Sequence, residues 1–151
     1  MPIQSAGILM YRNTDLIEVL LVHPGGPFFA KKDLGNWSIP KGIYTSEEDA
    51  LDAAKREFRE ETGTDIDGDF IPLSPIKLRS GKEVKAWAFE GDMDPLTLVS
   101  NTFEMEWPPR SGKLQTFPEV DRAEWFTLDI ARKKINERQS AFLDELEKIV
   151  R

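Results

Sequence analysis

Apolar positions along this chain fall into short dense runs, broken at three places by helical spacing. Ile3 to Tyr11 is apolar without strict alternation, which predicts a strand buried on both faces. Arg12 to Asp15 reads as a turn, and Ile17 to Val22 as a second, β-branched strand. The short connection makes these two antiparallel neighbours. Residues 23–36 hold two prolines and three glycines, and predict a loop. Phe70 to Arg79 and Glu83 to Glu90 flank Ser80-Gly81-Lys82, a hairpin signal. Leu98 to Trp107 predicts a strand that sets Phe103, Met105 and Trp107 against Glu104 and Glu106. Pro108 to Asp121 predicts a long loop, and Ala123 to Leu128 a last strand.

The three helical stretches lie at about 47–62, 129–136 and from Ser140 onward. In the first, Leu51, Ala54 and Phe58 form one apolar stripe. Thr45 or Ser46 is placed to cap its start, with Glu48 or Asp49 closing a capping box, and Gly63 stops it in the left-handed conformation. Asp129 is placed to cap the second. In the third, Phe142, Leu143, Leu146 and Ile149 make the inner side. Strands with helices after them predict a mixed α/β domain, its sheet covered on both sides, spanning 1–151 as a single unit.

Composition narrows the function classes. The 151 residues carry a net charge of −7, which disfavours polymeric nucleic acid and anionic membrane as partners. With no cysteine there is no disulfide, thiolate nucleophile or Cys–zinc site. The opening residues show no signal-peptide pattern and no run spans a membrane, so a cytoplasmic location is expected.

The chemistry sits on the first helix. Glu57, Glu60 and Glu61 stand at i, i+3 and i+4 on one face, where like charges repel by a few tenths of a kcal/mol per pair. Arg56 relieves this in part through Glu60 at i+4. Such a cluster of hard oxygen donors suits Mg²⁺, although a solvated acidic face has the same composition. The wider spacing decides between the two readings. Gly42, five residues, Glu48, seven residues, then Arg56-Glu57-Phe58-Arg59-Glu60-Glu61-Thr62-Gly63-Thr64 resembles the signature of the Nudix hydrolases, with all seven fixed letters in register. Chance supplies such a match on the order of 10⁻⁷ per starting position. Phe58 and Thr64 stand where that pattern prefers aliphatic residues.

The resemblance implies a Nudix-type α/β/α sandwich with a mixed central sheet. It implies Mg²⁺, with Mn²⁺ as a substitute, held by Glu57, Glu60, Glu61 and the Gly42 carbonyl, and hydrolysis of a P–O–P bond in a nucleoside diphosphate linked to another moiety. Arg56 would orient Glu57 or Glu60. The general base stays open among Glu57, Glu60 and, outside the motif, Glu104, Glu106 and Glu119. Trp37-Ser38-Ile39-Pro40-Lys41-Gly42 resembles the approach in family members acting on dinucleoside polyphosphates. That makes those the first substrate class expected, with nucleoside triphosphates next and ADP-ribose or inositol diphosphates as alternatives. A domain that senses a nucleotide without cleaving it is the rival, disfavoured by the intact glutamates.

Substrate contacts are expected from Lys41 and Lys32 to phosphate and from Phe28 and Trp87 to a base; Lys41, Lys32 and Phe28 are equally readable as solvated or core-capping, and a strand tryptophan such as Trp87 is more often core. His23, the one histidine, reads as structural. The partner is a small phosphorylated nucleotide, and the protein a monomer or homodimer.

Overall fold

The computed structural model describes residues 3–150; Met1, Pro2 and Arg151, at the ends of the expected 1–151 unit, lie outside them. Two strands open the fold: β1 (Gln4–Asn13) and β2 (Ile17–Pro24), antiparallel at Tyr11–Asn13 against Ile17–Val19. The apolar runs are buried on both faces, as their composition dictates. Leu9, Tyr11, Val19 and Leu21 enter one core layer, while Ala6, Ile8, Met10, Leu20 and Val22 enter the other.

β1 is the hinge of the architecture. On one side it runs parallel to β6 (Glu83–Glu90) over its length. On the other side it pairs β2 at one end and β3 (Lys41–Tyr44) at the other, so the sheet forks. Ser38 bridges β2 at Val22, and the Ile8 N–H donates to the Pro40 carbonyl at 3.1 Å, which fills the fork. β9 (Val120–Thr127) extends the sheet beyond β2, and β4 (Phe70–Pro72) and β5 (Ile76–Lys77) pair β6. One parallel pair among antiparallel ones makes the sheet mixed.

Helix α1 (Ala50–Thr62) packs Ala53, Ala54 and Phe58, each fully buried, on one face. Helices α2 (Leu128–Lys134) and α3 (Ser140–Val150) cover the other with Leu128, Ala131, Phe142, Leu143 and Leu146. The expected mixed sheet between helical layers is observed.

Several local expectations are corrected. Lys41–Tyr44 is a strand, because β1 offers it an open edge. α1 begins at Ala50: Asp49 caps it by accepting from the Asp52 N–H at 3.2 Å, and neither Thr45 nor Ser46 does. The loop expected over 108–121 contains β8 (Leu114–Pro118), which pairs β7 (Thr102–Glu106) as a separate hairpin; proline and glycine are confined to the tip and its end. The 70–79 strand is interrupted at Leu73–Pro75. Thr127, not Asp129, takes the cap position of α2, and Ile149 is 39% exposed instead of facing inward.

Candidate active site

Helix α1 delivers its glutamates to the fork between β2 and β3. Gly63 ends the helix at φ 81°, its N–H donating to the Arg59 carbonyl. The freed carbonyls of Glu60 and Thr62 are then taken by the Asn101 and Val99 N–H groups at 2.7 and 3.0 Å. The end of the helix that carries the acids is therefore tied to the 98–101 segment.

Arg56 organises the cluster. It makes a forked pair with Glu48, both bonds 2.9 Å, and its Nη1 bridges Glu57 at 2.9 Å and Glu60 at 3.0 Å. Hydrogen bonding to Glu48 holds the guanidinium protonated well beyond its ordinary range, and the same bonds keep the Glu48 carboxyl below its own. Glu48 thus anchors the loop through Arg56 and forms no capping box.

Glu57 is buried, and its carboxylate lies directly against Gly42: a Cβ there would sit 2.0 Å from Cδ of Glu57. Burial, then Glu60, pushes the Glu57 carboxyl above the usual range. Glu61 turns toward the backbone N–H of Lys41, at 3.4 Å, and burial pushes its carboxyl up to about 8. Burial and the neighbouring Lys82 hold the Lys41 ammonium below its usual range.

Glu119 joins this group from another element. Its N–H donates to the Asn101 carbonyl at 2.8 Å, its carbonyl accepts from Gly25 at 2.9 Å, and the next N–H, on Val120, reaches Ser100 Oγ at 3.0 Å. Desolvation and Glu60 raise its carboxyl, and its charge in turn raises Glu57 and Glu61. Val22, Pro24, Ser38, Lys41, Glu61, Glu119 and Val120 line a cleft of about 140 Å³. Glu104 and Glu106 stay on the exposed face of β7.

Among the described residues no three acidic or histidine side chains already stand in a metal-holding arrangement. The donor chemistry nevertheless fits a hard divalent cation. Glu57, Glu61 and Glu119 are carboxylates whose charged forms are disfavoured by burial and by one another, and glycine at 42 leaves the Glu57 carboxylate its place.

The expected substrate residues are spread out. Lys41 lines the cleft. Phe28 is 60% exposed and meets Trp107 edge to face at 5.5 Å. Lys32 sits over the Phe29 ring, and its carbonyl lies 2.6 Å from Nε2 of His23, whose Nδ1 lies 2.8 Å from Asp121. His23 is fully buried and structural, as read. Trp87 is half-buried against the core layer beneath α1. A second cavity, about 510 Å³, is lined by Gly35, Leu78, Arg79, Ser80, Asn136, Glu137 and Arg138. The 35–41 segment contributes Gly35 to this cavity and Ser38 and Lys41 to the cleft. Arg79 lies in the turn before β6, and Asn136 and Arg138 lie at the short helical turn before α3.

A family model described as NUDIX domain matches residues 1–146. Over 127 residues the chain is 29% identical to the mRNA-decapping enzyme subunit 2 of Saccharomyces cerevisiae, covering 83% of this chain and 10% of that protein. The chain thus spans about a tenth of the length of the curated relatives it matches. Among solved structures, a C. elegans Ap4A hydrolase binary complex superposes with a TM-score of 0.65 at 22% identity, covering 97% of each chain. The NUDIX domain of Shewanella oneidensis NrtR, complexed with ADP ribose, gives 0.68 at 14% identity over 100% of this chain and 90% of that one. With its motif helix, its mixed sheet and a family model that spans nearly all of its length, this chain belongs to the Nudix hydrolase family.

Proposed function

We propose that the chain is a Mg²⁺-dependent pyrophosphohydrolase that cleaves a P–O–P bond in a nucleoside diphosphate linked to another moiety. Dinucleoside polyphosphates are the first substrate class and nucleoside triphosphates the second. One observation carries the reading: Glu57, Glu60, Glu61 and Glu119 meet Lys41 and Gly42 at a single fork in the sheet. The Ap4A hydrolase among the structural relatives supports the substrate class.

Mg²⁺ held by Glu57, Glu60 and Glu61 with the Gly42 carbonyl would neutralise the diphosphate and lower the pKa of a bound water. The protein's own groups do the rest. Arg56 keeps Glu57 and Glu60 in fixed rotamers, so they need no reorganisation when substrate arrives. Lys41, at the cleft wall, takes a phosphate oxygen. Glu119 accepts the proton of the attacking water at a carboxylate oxygen; its raised carboxyl and its backbone, pinned on both sides, support that role.

Anion-exchange analysis of products tests this directly. The protein is incubated with diadenosine tetraphosphate, common and oxidised nucleoside triphosphates, ADP-ribose and NADH, with and without Mg²⁺. Mg²⁺-dependent cleavage of a dinucleoside polyphosphate is expected. Metal-dependent binding with no turnover of any of these would replace the hydrolase with a nucleotide sensor.

A further inference from the structure

The β7–β8 hairpin leads away from the cleft residue Glu119, which directly follows β8. Gly25 donates to the Glu119 carbonyl and lies so close to Pro118 that a Cβ would meet the Pro118 carbonyl at 2.0 Å. Gly26 lies on the Phe103 ring, and Phe28 lies edge-on to Trp107. The loop from Pro24 and the hairpin from Glu119 thus run side by side, away from the acids, and end in an aromatic pair.

The strand end that carries Trp107 is tied across the hairpin through its backbone; the Trp107 side chain is half-buried and Phe28 is exposed. The Trp107 backbone N–H donates to the Lys113 carbonyl at 3.0 Å, and the Trp107 carbonyl accepts from the Gln115 side chain at 2.7 Å. Phe28, 60% exposed, adds little to any core. Arg110 and Lys113 lie in the hairpin tip that Trp107 opens, neither in an ion pair among the described residues, on a chain whose net charge is −7. Cations beside an open aromatic surface match the chemistry of a nucleotide. Lys113, across the hairpin from Trp107, is separated from Glu119 by β8 and stands about 20 Å from it at strand rise.

Resting on the pyrophosphohydrolase reading above, we propose that Trp107, edged by Phe28, stacks the second base of a two-ended substrate, two nucleosides joined by a polyphosphate, with Arg110 and Lys113 facing its distal phosphates. Trp107 is then a specificity-determining residue.

Two readouts test this. In steady-state kinetics, Trp107→Ala raises KM for diadenosine tetraphosphate about ten-fold more than KM for ATP, and Trp107→Phe keeps most of the difference. Equal shifts for both substrates, or none, overturn the proposal. Binding of diadenosine tetraphosphate to Glu60→Gln, followed by tryptophan fluorescence, separates stacking from hydrolysis. Quenching that disappears in Glu60→Gln/Trp107→Phe while affinity persists supports stacking, even if the wild-type protein cleaves nothing. Turnover with no dependence on Trp107 keeps the hydrolase and overturns the stacking.

Discussion

Gly42→Ala tests the geometry of the acid cluster at its tightest point. The new Cβ would fall 2.0, 2.1 and 2.4 Å from Cδ, Oε2 and Oε1 of Glu57, where real Cβ contacts essentially never come under 3.0 Å. The Glu57 carboxylate must therefore retreat by about 1 Å or more, and its 2.9 Å bond to Arg56 is lost or redirected. Misplacement on that scale costs about 100-fold in rate, and disturbed ligand geometry about ten- to a hundred-fold in metal affinity. The fold should survive, because Gly42 lies on a short outer strand and the clash is with a side chain that can swing away. The assay is calorimetric titration with Mn²⁺, which needs no knowledge of the substrate, alongside thermal melting. If the methyl acts through Glu57, Gly42→Ala has almost no further effect in a Glu57→Ala background. Wild-type Mn²⁺ affinity in Gly42→Ala, or additive losses in the double variant, would refute the reasoning.

Arg56→Lys keeps the charge but not the fork to Glu48, so turnover should fall about ten-fold at unchanged net charge; full activity would show that the guanidinium geometry is dispensable. Gln139→Leu strands the buried Ile39 N–H, which Gln139 accepts from at 3.0 Å; the cost is about 1–3 kcal/mol, and the melting temperature should fall by roughly 3–10 °C in calorimetry. The Glu61 carboxyl, at about 8 in the folded protein, is raised above its unfolded value, so the native state holds its proton more tightly. Metal-free stability is then greatest below about pH 4.5 as far as this group is concerned, and declines as pH rises through 8. Melting at pH 5.5 and 8.5 should show this decline, and Mg²⁺ should reduce it; metal-free stability that rises over that interval contradicts the assignment. Glu60→Gln should lower turnover by about two orders of magnitude or more with an unchanged circular-dichroism spectrum.

The sequence announced those parts of the molecule that local chemistry decides. The doubly buried first strands, the stripe Leu51–Ala54–Phe58 and the glycine stop of α1 all follow from composition and periodicity. The motif spacing likewise marked Arg56, Glu57, Glu60 and Glu61 as one chemical unit, and Arg56 does bridge two of those glutamates. What stayed hidden depends on partners far along the chain. Lys41–Tyr44 has no strand pattern of its own and becomes β3 only because β1 leaves an edge open. Glu119, Glu104 and Glu106 were indistinguishable as letters; hydrogen bonds to Asn101 and Gly25 bring Glu119 to the cleft and leave the other two in solvent. β8 was concealed by the prolines and glycine at its hairpin tip, and Gln139 by the fact that its partners, Ser38 and Ile39, lie about a hundred residues earlier.

The central claim is that the glutamates of α1, set against Gly42, hold a divalent cation for cleavage of a diphosphate. The most direct measurement is the rate of P–O–P cleavage as a function of Mg²⁺ concentration, for the wild-type protein and Glu60→Gln on the same dinucleoside polyphosphate. A saturable rise from near zero in the wild type, with the Glu60→Gln curve at least about a hundred-fold lower, is the predicted result. Cleavage that persists in chelator, or that proceeds equally in Glu60→Gln, would contradict it.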